Sequence, residues 1–329
     1  MDLAILEESD YKNWDDFVKT AINGTIFSES LWGRASKILD PKIDFKVLAV
    51  VKDSLIYGGM LLFIKDNKIV IPRFTPYTSV VYRPINTSKN YTIISERRKI
   101  NDLIADYLTK NFKKSAFKQH FEYNDIRDFQ FKKFNSRYLY TFLNYLTDYN
   151  INQINNKIKR DVNKISKENY VFENPIEFDK SQLEQLLGPF FETMDKKVFS
   201  IDNEFKNKFI NMVKILEKRI MLYTLRSYDN ILSTRVELVD NDEKIEDWIA
   251  GTMEEGREKR IGPYFVHRIL SDLKEKGYVY FDWNGANTPG VTDFKRNFGG
   301  VLKSYSQLEY FKNKYYEILY QSARILLKK

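Results

Sequence analysis

The stretch that decides the fold runs from Tyr278 to Gly300 and reads YVYFDWNGANTPGVTDFKRNFGG. Its first part has the pattern of a buried aromatic strand that ends at Asp282 and opens into a bend rich in glycine and asparagine. The chain restarts at Pro289 and reaches Lys295 shortly before a second glycine pair. Because glycine lets loop backbone approach a ligand closely, a strand end of this composition is typical of a binding or catalytic site.

Outside this stretch, the sequence contains two segments with the same pattern of predicted strands. The segments Val47 to Ile69 and Tyr223 to Ile245 align without a gap at a constant offset of 176 residues (223 minus 47). The matching positions are Asp53 with Asp229, Leu55 with Ile231, Leu62 with Leu238, Asp66 with Asp242, Lys68 with Lys244 and Ile69 with Ile245. Each copy has three strands separated by tight turns rich in Asp and Asn. We interpret this as a duplication; a chance alignment of two β-meanders is the alternative.

Predicted helices flank both meanders, and one more aromatic strand follows each of them. The predicted helices are Tyr11 to Ile22, Arg97 to Phe112, Lys180 to Met194 and Pro263 to Lys276, and the additional strands are Ala116 to Tyr123 and Tyr278 to Trp283. Asp148 to Lys167 is predicted to be a linking helix. Gln307 to Leu327 is predicted to be an amphipathic helix, with Leu308, Tyr315, Ile318, Leu319, Ala323 and Leu326 on its apolar face.

Composition excludes several classes of protein and site. A chain of 329 residues with 43% hydrophobic content is long enough for two domains with cores, and it is not a disordered chain. It has no cysteine and only two histidines, so thiolate chemistry, disulfides and histidine metal clusters are disfavoured. The net charge of +8 favours an anionic partner such as nucleotide phosphate, tRNA or an acidic membrane surface. With an acidic first ten residues and no long apolar run, the expected location is the cytoplasm.

The opening stretch also resembles a known family. Phe281-Asp282 with Gly285-Ala286-Asn287, and Phe294-Lys295 with Phe298-Gly299-Gly300, resemble the C-terminal motif of the Fem-type transferases, which are related to the GNAT acyltransferases. Weaker matches extend the resemblance over most of the chain: Gly24-Thr25-Ile26-Phe27, Trp32, Tyr57-Gly58-Gly59 and Lys157-Ile158-Lys159-Arg160.

The resemblance implies an α/β (α+β) fold of two tandem GNAT-like domains, each a mixed, mainly antiparallel sheet flanked by helices. The expected domains are residues 1–150 on the acceptor side and 151–329 on the donor side, with the last helix able to pack on the first domain. It implies transfer of an aminoacyl or acyl group from aminoacyl-tRNA or acyl-CoA to an amine. The acceptor would be a nucleotide- or lipid-linked cell-envelope precursor, such as a peptidoglycan stem peptide or an amino sugar. No metal and no tightly bound cofactor are expected.

Two residues are the catalytic candidates. Asp282 would orient or deprotonate the acceptor amine, and the alternative is that its carboxylate caps the next turn. Lys295 matches the family lysine by its Phe-Lys-x-x-Phe context, so the resemblance implies that it stabilises negative charge on the reacting carbonyl or on the tRNA end. A surface lysine on a short helix is the alternative.

The predicted binding residues fall into three groups. Substrate-binding residues in the motif are Asn284, Gly285, Asn287, Phe298, Gly299 and Gly300, although core packing is the preferred interpretation of the Phe298 ring. Donor-binding residues are Arg257, Arg260 and Gly262, where CoA-using GNAT proteins have a pyrophosphate loop. Arg260 occupies the first glycine position of that loop, which favours aminoacyl-tRNA as the donor. Acceptor-side residues are Arg34, Arg73 and Tyr77.

A second hypothesis is a nonenzymatic protein that binds nucleic acid or an anionic surface. It rests on the net charge and on the basic run Lys157, Lys159, Arg160, Lys164 and Lys167, which is also typical of a solvated helix face. This hypothesis leaves the motif from Asp282 to Gly300 unexplained.

Overall fold

The computed structural model describes residues 1–123, 125–197, 201–315, 317, 318, 320 and 322. The chain divides into two compact units. Unit 1 comprises Met1–Leu139 and Ser304–Lys329, and unit 2 comprises Tyr140–Lys303. The chain therefore passes from one unit to the other twice, and the C-terminal segment belongs with the N-terminal half.

The elements before unit 2 are a strand, two helices, a run of four strands, and then helices and strands in turn. In chain order they are β1 (Asp2–Leu6), α1 (Tyr11–Thr20), α2 (Ser30–Leu39), β2 (Asp44–Lys52), β3 (Leu55–Lys65), β4 (Lys68–Ile69), β5 (Val81–Tyr82), α3 (Asn90–Asn111), β6 (Lys114–Gln119), α4 (Arg127–Phe131) and β7 (Asn135–Tyr145), whose second part lies in unit 2.

The elements that follow have the same order of meander, helix and strand. They are α5 (Asn156–Ile165), β8 (Tyr170–Glu173), α6 (Lys180–Leu186), α7 (Gly188–Lys197), α8 (Asn203–Ile215), β9 (Ile220–Ser227), β10 (Asn230–Val239), β11 (Lys244–Thr252), α9 (Glu254–Glu258), α10 (Gly262–Glu275), β12 (Tyr280–Asp282), α11 (Pro289–Lys295) and β13 (Val301–Phe311), which continues into unit 1.

The sheet of unit 1 has the order β1-β2-β3-β4-β6-β13, and β5 pairs with β3. All of its pairings are antiparallel except β4 with β6. Two tight turns join the meander, and their central residues Asp53, Ser54, Asp66 and Asn67 have positive φ, as two-residue hairpin loops require. One core of the unit contains Leu48 and Met60 from the meander, Ile104 from α3, Phe117 from β6 and Leu308 from β13.

The sheet of unit 2 has the order β7-β12-β11-β10-β9-β8. Only β11 and β12 pair in parallel. Its core contains Tyr223, Ile245 and Phe281 from the strands, with Ile269 from α10 and Ile158 from α5. Asn155 caps α5 and Asp179 forms a capping box with Gln182 at the start of α6, which explains where both helices begin.

The predicted fold class is confirmed, because each unit is a mixed, mainly antiparallel sheet with helices. The strands also follow the predicted repeat. β2 begins at Asp44 and β9 at Ile220, while β4 begins at Lys68 and β11 at Lys244, and both differences are 176 residues (220 minus 44 and 244 minus 68).

Four helix predictions differ from the structure by more than two residues. The helix predicted from Arg97 to Phe112 begins earlier, at Asn90. The predicted helix Lys180 to Met194 is two helices, α6 and α7, and the linking helix covers only Asn156–Ile165. The predicted C-terminal helix was wrong from Gln307 to Phe311, which lie in β13 and pair with β6. A short apolar run fits a strand as well as a helix, and pairing along β6 decides the outcome here. Tyr315 and Ile318 are helical, whereas Leu319, Ala323 and Leu326 lie outside the described residues.

Candidate functional site

The candidate site of unit 2 forms where two parallel strands part. β11 and β12 pair only from Lys244 with Tyr280 to Glu246 with Asp282. β11 then continues beside β10, whereas the chain after β12 turns away at Asn284 and Gly285, which have φ of 51° and 122°. The β10–β11 register shifts after Val236, so that Trp248 is an extra residue in β11. Such a bulge bends a strand and re-aims its side chains.

A cavity of about 860 Å³ opens at this point, and residues of unit 2 line it. Its wall combines apolar side chains with a small number of charged groups, which is typical of a ligand site. The apolar lining includes Ile158, Trp248, Phe265, Val266, Trp283 and Phe294. The charged lining consists of Arg235, Asp247, Arg257, Arg260 and Lys295.

Lys295, at the end of α11, has its ammonium group surrounded by acceptors. Its Nζ donates to the backbone carbonyls of Trp283 and Gly285, the latter at 2.9 Å, and lies 3.2 Å from Oδ2 of Asp247. The side chain is only 14% exposed. Three acceptors match the three N–H groups of an ammonium. Lys295 therefore fixes the bend after β12 and holds a positive charge at the cavity wall.

Arg235, Glu237, Asp247 and Lys295 form a buried ion cluster. The guanidinium of Arg235 donates from Nη2 to Oδ1 of Asp247 and from Nε to Oε1 of Glu237, the latter at 3.3 Å. Burial alone would raise the pKa of Asp247, but the charges of Arg235 and Lys295 outweigh it and hold that pKa below its ordinary value. Burial raises the pKa of Glu237 to about 8, the Asp247 charge adds to the rise, and Arg235 opposes it. At neutral pH the cluster thus carries more positive than negative charge.

We expect Glu237→Gln to remove a pH dependence from the stability of the protein. The unfolded chain ionises Glu237 near its ordinary pKa of 4.5, whereas the folded chain does so only near 8. The raised folded pKa means that stability is fully present below pH 4.5 and falls as the pH rises to about 8. A glutamine side chain at this position cannot ionise, so the melting temperature of the variant relative to wild type should increase steadily from pH 5 to pH 8.

Thermal unfolding at four pH values measures this difference. Glu255→Gln, which changes an exposed carboxylate on α9, is the control variant. A melting-temperature difference for Glu237→Gln that does not change with pH would show that the carboxyl is ionised in the folded protein.

The fold of the whole chain matches several solved structures, whereas no family model and no curated protein matches its sequence. FemX superposes with a TM-score of 0.69 at 14% identity, over 98% of this chain and 99% of that one. The chain has the Fem-type tandem GNAT fold. L-PGS from Bacillus licheniformis follows with a TM-score of 0.58 at 14% identity, covering 94% of this chain and 93% of that one. A tandem GNAT protein from the clavulanic acid biosynthesis pathway has a TM-score of 0.55 at 7% identity, covering 95% and 98%.

These likenesses confirm the fold that the Fem-type resemblance implied. At such low identities they concern the fold and carry no residue assignments. Among the described helices, none combines the length and the apolar character needed to cross a bilayer.

Asp282 lies at the end of β12 and is fully buried. Its Oδ1 accepts hydrogen bonds from the backbone N–H of Asn284 at 2.9 Å and from Oγ1 of Thr141 at 2.6 Å. These contacts correspond to the turn-capping alternative. Asp282 is not among the residues that line the cavity, whereas Lys295 and Asn284 are.

The other predicted residues of the motif mainly shape the bend. Asn287 pairs with the backbone of Tyr140 through both side-chain atoms, at 2.8 and 3.2 Å. Phe298 is fully buried against Trp283, which agrees with the core-packing interpretation. Gly299 has φ of 77°, and a Cβ on Gly300 would lie 2.8 Å from Oδ1 of Asn144.

The three donor-binding candidates line the cavity near the start of α10. Arg257 lies on the short helix α9 and pairs with Glu254 at 2.8 Å, so part of the predicted loop is helical. Arg260 is exposed, has φ of 58° and pairs with Asp161 at 2.7 Å. At Gly262 a Cβ would meet nothing closer than the Phe294 ring at 3.9 Å, which leaves room beside the helix N-terminus.

The acceptor-side candidates belong to unit 1. Tyr77 is fully buried in an aromatic group with Phe27, and Nε1 of Trp32 donates to Oγ1 of Thr75 at 3.0 Å. The segments around Trp32 and Tyr77 are therefore in contact. Arg34 lies on α2, and Arg73 is exposed in the segment after β4.

Sequence reasoning missed the ion-cluster members on β10 and β11. A usable signal was present, because Arg235 and Glu237 lie two residues apart on either side of Val236, so in a strand they point to the same face of the sheet. Charged residues are rarely buried unless they are paired. Two charged residues on the same face of a predicted core strand therefore indicate a candidate site.

Proposed function

We propose that this protein is an N-acyltransferase that moves an aminoacyl or acyl group from an activated donor to an amine of a cell-envelope precursor. The observation that carries the proposal is the cavity beside β11, where an apolar wall meets Lys295 and Arg235. Arginines beside a helix N-terminus line the same cavity. An acyl group fits apolar walls, and its reacting carbonyl needs a cation nearby.

The chemistry suits direct transfer without a covalent enzyme intermediate. The chain has no cysteine, and aminolysis of an ester or thioester can proceed by positioning and charge stabilisation alone. Arg257 and Arg260 would hold the phosphates of the donor beside α10. The exposed charge of Arg260 and the open space at Gly262 support this arrangement.

The donor would be aminoacyl-tRNA or acyl-CoA, and the acceptor a nucleotide- or lipid-linked stem peptide or an amino sugar. The arginine at the first glycine position of the loop supports aminoacyl-tRNA. Support for the acceptor comes from the Fem-type motif. Unit 1 would hold the acceptor, with Arg34 and Arg73 as the binding residues, whereas the fully buried Tyr77 would support them from the core.

Calorimetric titration with acetyl-CoA, a longer acyl-CoA and alanyl-tRNA is the experiment that tests this function. We expect micromolar binding of at least one donor, weakened by Arg260→Glu because that change places a negative charge beside the phosphates. Arg226→Glu alters a cation on β9 that pairs with Glu173 and serves as the matched control.

Each outcome of the titration has a defined meaning. Binding of an acyl-CoA identifies an acyl-CoA-dependent N-acyltransferase, and binding of charged tRNA alone identifies an aminoacyl transferase. Transfer is then measured with a nucleotide-linked stem peptide and with glucosamine as acceptors. Absence of binding for every donor would contradict the proposal.

A further inference from the structure

We propose that Arg235 is a catalytic residue of this transfer, and that its guanidinium binds the oxygen of the acyl carbonyl as it becomes an oxyanion. The inference rests on the proposed function, and it assigns to β10 a role that neither the motif nor the resemblance assigns. Three observations carry it: Arg235 has hydrogen-bond donors left, Lys295 has none left, and the carboxyl groups of Glu237 and Asp247 hold the guanidinium in place.

Arg235 lines the cavity and has hydrogen-bond donors that its two carboxyl partners do not use. A guanidinium has five N–H groups. Its Nε serves Glu237 and its Nη2 serves Asp247, while Nη1 makes no hydrogen bond with any of the described residues. Arg235 is 8% exposed and is one of the residues that line the cavity, which leaves its remaining donors next to that space.

Lys295 cannot supply this contact in the geometry observed. The Trp283 and Gly285 carbonyls and the Asp247 carboxylate already account for its three N–H groups. An oxyanion could reach Lys295 only by displacing one of these acceptors. Of the two cluster cations, Arg235 is therefore the better placed donor, and Lys295 is a positioning residue that also contributes its charge.

The surroundings of Arg235 hold the guanidinium in place before any ligand binds. Glu237 is fully buried and the Asp247 side chain is 6% exposed. Both contact guanidinium nitrogens of Arg235, namely Nε and Nη2. The guanidinium carbon also lies 5.8 Å from the centroid of the Trp283 ring. A cation fixed in a site of low dielectric stabilises developing charge more than a solvated one does.

The step balances without another reactant. The lone pair of the acceptor nitrogen forms a bond to the acyl carbon, and the carbonyl π electrons move to oxygen, where Nη1–H of Arg235 would donate to them. When the carbonyl re-forms, the bond from the acyl carbon to the donor oxygen or sulfur breaks. The proton lost by nitrogen neutralises the leaving group. Arginine stays charged throughout because its pKa lies far above neutral pH.

Steady-state kinetics of Arg235→Lys and Arg235→Gln test the inference, with alanyl-tRNA and acetyl-CoA as donors. We expect kcat to fall by about 100- to 1,000-fold in Arg235→Gln, as for loss of an oxyanion donor, with donor Kd within about threefold of wild type. Arg235→Lys keeps a cation between the carboxyl groups of Glu237 and Asp247, but its single ammonium group lacks the planar fork of N–H donors that could serve both of them and the cavity together. It should lose kcat while melting near the wild-type temperature. Arg226→Lys is the control.

The result that overturns the inference is equally specific. A kcat within about threefold of wild type in Arg235→Lys, or a loss confined to donor Kd, would show that Arg235 does not act on the oxyanion. If Arg235→Gln fails to fold, Arg235→Gln combined with Glu237→Gln removes the carboxyl left without its partner, and the same kinetic criteria apply. Wild-type protein that transfers from neither donor overturns the proposed function, and this inference with it, whereas active wild type with unaffected variants overturns the inference alone.

Discussion

Replacing Lys295 with methionine is expected to lower the rate of transfer by about a thousandfold, because the cavity loses a positive charge and the bend that positions the site loses its hydrogen-bond donor. Methionine keeps the length of the apolar stem but has no charge and no N–H groups. The carbonyls of Trp283 and Gly285 lose the donor that holds them, and Asp247 keeps only Arg235 as a counter-charge. The substitution therefore changes both the electrostatic field at the cavity and the conformation of the bend after β12.

The assay measures transfer from alanyl-tRNA or acetyl-CoA. Intrinsic fluorescence is a second readout, because Trp283 is one of the four tryptophans and its ring lies 5.6 Å from the ammonium. Lys164→Met removes an exposed lysine from α5 and should leave the rate unchanged. Lys295→Arg keeps the charge but cannot place three N–H groups in the same geometry, so an intermediate rate is expected. Wild-type rates in Lys295→Met would exclude Lys295 from the site.

The parts of the fold that the sequence predicts well are those with a local cause. Hairpin turns with Asp53 and Asp66 need residues that tolerate positive φ, and the strand from Tyr278 ends where asparagine and glycine follow. α10 begins beside Pro263, in agreement with the predicted helix start, because proline is favoured at the first position of a helix. These signals depend on a few neighbouring residues, so they can be read without knowledge of the tertiary structure.

The parts that were missed depend on contacts between distant residues. Gln307 to Phe311 form a strand because β6, almost two hundred residues earlier, supplies their hydrogen-bond partners. The ion cluster joins Arg235, Asp247 and Lys295 from two strands and a helix, and each residue alone looks like an ordinary surface charge. Asp282 was singled out correctly as the end of a strand, but its burial and its bonds to Thr141 and Asn284 could be known only from the structure.

Replacing Gly251 with alanine is expected to destabilise unit 2 more than any surface change. A Cβ at this position of β11 would lie 2.3 Å from the N and Cα of Phe190 and from the carbonyl oxygen of Pro189. These are backbone atoms of α7, which cannot move aside as the end of a side chain can. The helix and the strand must separate, at a cost of about 3 kcal/mol or more. For a unit of this size the melting temperature should fall by roughly 6 to 12 °C.

The same substitution should also weaken donor binding, because Gly251 lines the cavity and α7 packs against the strand beside it. Gly188→Ala is the matched control on α7, since a Cβ there would meet nothing within 4 Å. It should leave melting and donor affinity unchanged. Thermal unfolding followed by circular dichroism, with calorimetric titration of the same samples, measures both effects. If Gly251→Ala melts like wild type and binds donor equally well, the close contact of α7 with β11 does not exist in solution, and the cavity wall must be formed differently.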